Sequence, residues 1–137
     1  MENLFALDFS RNRLNGLSTL ALAHVGDGVF DLLCRSYLCV RGDATAHTLH
    51  QDTVALVKAP AQAEFARLLL PHLTQEEYAY YRRGKNAHTH PAPKAASPVE
   101  YAMATGVEAL FGALYLSGQL ERLNALFETV MEEKHGL

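Results

Sequence analysis

Gly106-Val107-Glu108-Ala109-Leu110-Phe111-Gly112-Ala113-Leu114-Tyr115 reads as a helix with no polar face and one acid. From Tyr101 to Gln119, Glu108 is the only residue of the Asp, Glu, Lys or Arg type. A run this apolar belongs inside a bundle, with other helices on most of its sides. Its start is well marked. Ser97-Pro98-Val99-Glu100 is a capping box, with proline at the first helical position. Its end falls near Leu116, before Ser117-Gly118. An ionised glutamate in such a helix loses several kcal/mol of hydration unless something compensates, to an order of magnitude. The partners open to it are a basic residue such as Arg35 or Arg67, a proton, or a metal ion.

Working outward, helical spacing and helix punctuation dominate, and alternating strand patterns are hard to find. Leu17 to about Val40 reads as a long helix, with Ser18 near its start and Gly42 just past its end. At about 100° per residue, His24, Asp27, Asp31 and Arg35 share one narrow stripe of it. Leu22, Val25, Val29, Phe30, Leu32, Leu33 and Tyr37 take most of the remaining circumference. Gly26 and Gly28 flank Asp27, each costing about 1 kcal/mol of helix propensity relative to alanine. Close approach of another backbone or of a ligand would offset that cost. Thr45 caps a second helix through Val57, and Pro60 opens a third to about Leu70. Thr74-Gln75-Glu76-Glu77 is another capping box, for a helix ending near Gly84. Asn86 to Ala96 reads as an exposed loop, and Leu120 to about Lys134 as a last amphipathic helix. The fold expected is an all-α bundle, a single domain over residues 1–137.

Composition fits an ordinary globular protein, with 49% hydrophobic and 20% charged residues in 137. No stretch is apolar for long enough to span a bilayer, and the first residues carry no secretory pattern. With only Cys34 and Cys39, a disulfide framework is not expected, and the cytoplasm is the expected location. The net charge of −3 argues at first against a nucleic-acid partner. Its distribution argues the other way. Between Glu77 and Glu100 there is no acid, while Arg82, Arg83, Lys85, Lys94, His88 and His90 all fall there. That is a local anion-binding surface or a merely solvated loop.

Asp27 and Asp31 stand one helical turn apart with like charge, and repel unless a cation lies between them. Hard divalent ions such as Mg²⁺ take carboxylate oxygens and keep several waters, so one or two carboxylates per ion suffice. Asp27 and Glu108, each offered from an apolar helix wall, would make such a site.

The same segments carry a family resemblance. Leu22-Ala23-His24-Val25-Gly26-Asp27-Gly28-Val29-Phe30 resembles the ribonuclease III signature, in which a Leu-Gly-Asp-Ala run bears a metal-binding aspartate. Gly106 to Leu116 resembles that family's second acidic helix, which holds the other ligand. Arg82-Arg83-Gly84-Lys85-Asn86 is similar to the Arg-Arg-Gly-Arg-Asn run of the Mini-III branch, short bacterial members without a double-stranded-RNA-binding domain. Leu49-His50 and Ala59-Pro60-Ala61-Gln62 fit the same branch. The similarity spans about Leu17 to Leu126, and the order and spacing of its segments make it specific. Two further acids of full-length family members are replaced here by Ala23 and Thr105, a thinning that the Mini-III branch shares.

The resemblance implies a Mg²⁺-dependent endoribonuclease, with Mn²⁺ as a possible substitute. Asp27 and Glu108 would be its catalytic metal ligands, and Asp31 would act through a water. Phosphodiesters would be hydrolysed by metal-activated water, leaving 5′-phosphate and 3′-hydroxyl ends. Double-stranded RNA is the implied partner, with precursor 23S ribosomal RNA the substrate in this branch, and a homodimer suits a duplex. RNA contacts are expected from Arg82, Arg83, Lys85, Asn86 and Lys94, with Lys58 a weaker candidate. The rival expectations are a non-catalytic RNA-binding relative, a zinc protein using His47 and His50 or His88 and His90, and a purely structural helical adaptor.

Overall fold

A computed structural model describes residues 2–42, 45–87 and 97–136. Its elements are α1 (Arg11–Asn15), α2 (Thr19–Arg41), α3 (Ala46–Val57), α4 (Ala59–Leu69), a 3₁₀ turn (Leu70–His72), α5 (Gln75–Lys85), α6 (Pro98–Leu116) and α7 (Leu120–Lys134). No strand occurs among the described residues, and the all-α expectation holds. The short α1 and the 3₁₀ turn are additions to the expected list. Each is a single turn or little more, too short for a hydrophobic repeat to mark. Lys94, His88 and His90 lie outside the described residues, as does most of the expected loop to Ala96.

The starts are set by side chains. Ser18 and Thr45 accept hydrogen bonds from the Ala21 and Thr48 amides. Both capping boxes close as expected, Thr74 with Glu77 and Ser97 with Glu100. A single bend at Lys58 ends α3 and opens α4, and proline in the first turn of α4 is tolerated because its missing N–H has no helical partner there.

The apolar helix α6 is the axis, packed by α2, α5, α4 and α7. Two of these contacts are backbone to backbone. A Cβ on Gly26 would collide with the Glu108 carbonyl oxygen, and one on Gly112 with the Leu22 carbonyl, so α2 and α6 cross where neither has a side chain. On the other side, a Cβ on Gly84 would stand 2.5 Å from the Thr105 carbonyl oxygen and 2.7 Å from the Ala109 Cβ. Below the crossing, Phe30, Phe65, Phe111 and Phe127 form one aromatic cluster. Phe30 meets Phe65 edge to face at 5.1 Å, within the favoured range for aromatic pairs.

Helix α7 is tied to α5 by an ion pair that spacing does not reveal. The buried Glu77 carboxylate takes both Nε and an Nη of Arg122 at 2.8 Å, and Arg122 also donates to the His72 carbonyl. The Arg122 hydrogen bonds outweigh burial and hold Glu77 below the usual carboxylate range. Cys34 is buried and Cys39 exposed, and both are free thiols. No helix among the described residues is long and apolar enough to cross a membrane.

Candidate active site

The crossing of α2 and α6 decides where the acids go. Asp27 follows Gly26 directly, and Gly26 rests on the main chain of Glu108. The two carboxyl groups therefore face each other at the rim of the crossing, close enough to hydrogen-bond when one holds a proton. Asp27 is exposed and Glu108 half-buried. Burial, the adjacent Asp27 charge and that hydrogen bond together push the Glu108 carboxyl up to about 8, with Gln62 opposing them.

The ion-pair alternative for Glu108 fails. Among the described residues no Lys, Arg or His lies within ion-pairing distance of it. Arg35 is taken by Asp31, Nε to Oδ2 at 3.0 Å, one turn along α2. Asp31 thus sits beside the site with its own cation. The remaining ways to relieve the Asp27–Glu108 pair are a shared proton or a divalent ion.

Gln62 is the site residue that sequence reasoning passed over except as part of a motif. It is 3% exposed, on the face of α4 that carries Phe65, Ala66 and Leu69, and its side chain reaches Glu108. The signal was available. A glutamine at an apolar position of a helix is out of place for the same reason as Glu108.

A metal fits this donor set. Two carboxylate oxygen donors with no cation, and a buried amide oxygen lacking a partner, suit a hard ion that keeps water. Among the described residues no three His, Cys, Asp or Glu converge, which leaves His47 and His50, exposed on α3, without the cluster a zinc site needs.

The basic run ends a helix that packs on the same stretch of α6. Gly84 packs on Thr105 and Ala109, so the end of α5 abuts the turn of α6 that carries Glu108. Arg82, Lys85 and Asn86 are exposed there. Arg83 differs. Its guanidinium donates to the Leu17 carbonyl and the Thr19 hydroxyl, both at 3.3 Å, bracing the start of α2. Lys58 is exposed at the start of α4, one turn before Gln62.

A helical domain that brings two carboxylates together from crossing helices, and carries an exposed basic helix end, has the parts of a metal-dependent phosphodiesterase. The ribonuclease III domain family matches residues 20–119. Similar curated proteins are the Mini-ribonuclease 3 of Symbiobacterium thermophilum, 43% identical over 85% of this chain and 89% of that protein, and that of Streptococcus pneumoniae, 37% identical over 91% and 97%. A crystal structure of a protein from Fusobacterium nucleatum superposes with a TM-score of 0.77 at 28% identity, covering 88% of this chain and 97% of the other. The chain belongs to the ribonuclease III family, in its Mini-ribonuclease 3 branch, and is an endoribonuclease.

Proposed function

We propose that this single domain, residues 1–137, hydrolyses double-stranded RNA as a homodimer, with Asp27 and Glu108 holding Mg²⁺, or Mn²⁺ in its place. Its substrate is precursor 23S ribosomal RNA in the cytoplasm, as the branch resemblance implies. The observation that carries the reading is the Asp27–Glu108 pair, two facing carboxyls without a basic partner. Held by Asp27 and Glu108, a divalent ion would supply Lewis acidity and a nucleophile at neutral pH.

The chain's own residues do the rest. Glu108 would have to lose the proton that its burial favours to serve as a ligand, so ion binding would release a proton and weaken below about pH 8. Arg82 and Lys85 neutralise backbone phosphates of the duplex, with Asn86 and Lys58 as further contacts and Lys94 one that the sequence alone suggests. Asp31, held by Arg35, orients water at the edge of the site. Arg83 supports the α2 start and contributes to RNA binding only through it. Phe5, Leu32 and Leu120 are exposed around one apolar groove, which supports association of two copies.

Incubating the protein with long double-stranded RNA tests the reading. Cleavage is expected with Mg²⁺, none with excess chelator, and none from Asp27→Asn despite a native fold. Cleavage that survives chelation removes the metal from the mechanism. Intact RNA with measurable binding points to a non-catalytic relative instead.

A further inference from the structure

Among the described residues two buried side-chain polar atoms lack a hydrogen-bond partner, the Tyr81 hydroxyl and Gln62 Oε1. The second belongs to a side chain whose amide N–H reaches the Glu108 carboxyl. Gln62 Nε2 donates to the Val57 carbonyl at 2.8 Å, across the bend between α3 and α4. A carbonyl only accepts, so this bond fixes which end of the amide is nitrogen. The oxygen is then a pure acceptor, shut away from solvent, on an amide whose nitrogen serves the Val57 carbonyl and reaches Glu108. An acceptor left in that state is costly, and a leucine or methionine would fill the place without the cost.

The missing donor has a definite chemistry. Asp27 and Glu108 cannot supply it once both are ionised, since carboxylates only accept. Arg35 is engaged with Asp31, and no other cation reaches the pair among the described residues. A divalent ion held by two carboxylates keeps much of its hydration shell, and every water in that shell presents O–H groups outward. Those donors need acceptors, and Gln62 Oε1 is an acceptor without a donor.

We propose that Gln62 is a third member of the metal site, its Oε1 accepting a hydrogen bond from a water of the ion that Asp27 and Glu108 bind. Its nitrogen meanwhile anchors the side chain to the Val57 carbonyl, so the oxygen is held in place before the ion arrives. Gln62 is a positioning residue in this role, acting on the ion through water. The inference rests on the metal reading of the preceding subsection.

Mn²⁺ titration of the full chain without RNA, followed by the electron paramagnetic resonance of free Mn²⁺, tests it apart from catalysis. Gln62→Met is expected to raise the Mn²⁺ Kd about tenfold, the usual effect of losing a residue that supports metal ligands. Its circular dichroism without metal should stay that of the wild type. Gln62→Glu, which keeps an oxygen there, is expected to bind at least as tightly as wild type and to gain more in melting temperature from Mn²⁺. Wild-type affinity in Gln62→Met, with binding abolished by Asp27→Asn, overturns the role of Gln62 and leaves the carboxylate site standing. Should Gln62→Met not fold, weaker Mn²⁺ binding by Gln62→Glu overturns it instead. Wild-type protein that takes up no Mn²⁺ sensitive to Asp27→Asn overturns the site and this inference together.

Discussion

Glu108 carries two opposed demands, and its protonation records which one is met. Without a cation its carboxyl titrates at about 8, against 4.5 for the free side chain, so between those values the folded state holds a proton that the unfolded state has lost. The stability this group contributes is therefore complete below about pH 4.5 and is lost as pH rises through about 8. Melting of the metal-free protein between pH 6 and 9 should show a fall that Glu108→Gln flattens. A Glu108→Gln variant that keeps the wild-type pH slope would assign the proton elsewhere. Glu77 runs the other way. Its carboxyl is held low by Arg122, so its contribution is present above the ordinary carboxylate range and lost on acidification. Arg122→Ala strands a buried charge and should cost roughly 2 kcal/mol at pH 7, less than a fully buried pair because Arg122 is partly exposed. Urea denaturation measures it. Both acids were legible as helix-borne, but only Glu108 was legible as anomalous. Glu77 sits in a capping box, which already accounts for a glutamate there, and its second partner lies on another helix.

At the level of helices, the two glycines beside Asp27 separate cleanly. Gly26 faces the α6 main chain, whereas Gly28 faces open space with nothing within 4 Å. In the sequence the two are alike, because both interrupt the same helix at the same cost. Only the crossing of α2 with α6 tells them apart, and spacing within one helix holds no record of the other's path. Gly26→Ala should destabilise by roughly 3 kcal/mol or prevent folding, since the obstacle is backbone and cannot rotate away. Gly28→Ala should stabilise an isolated subunit by about 1 kcal/mol through helix propensity. Thermal melts of the two variants side by side check the contrast, and equal effects would contradict this helix crossing. The capped starts of α2, α3, α5 and α6 were readable because a cap is local, a side chain meeting an amide three residues on.

Across the molecule, the acidic total conceals a divided surface. Arg82 and Lys85 are exposed at the end of α5, while Arg83, adjacent in sequence, is turned inward to brace α2. The run Arg82-Arg83 looked like a doubled contact because neighbouring residues of like type carry no label for direction. Replacing Arg82 and Lys85 by alanine should lower RNA affinity and reduce the logarithmic salt slope by about two, near one for each lost phosphate contact. Arg83→Ala should instead lower the melting temperature. Filter binding across a salt series decides, and an unchanged slope in the double variant would move the RNA to another face. The meeting of Gly26 with the Glu108 carbonyl has a further consequence for how this enzyme can change. The separation of the Asp27 and Glu108 main chains is a property of two helix axes, and an Asp-for-Glu exchange alters a carboxyl's reach by one methylene only. On the proposed metal reading, widening the site beyond that reach for a larger ion, such as Ca²⁺, would require one whole rod to tilt against the other. Point replacements that leave that tilt alone should abolish ion binding more readily than they retune ion choice.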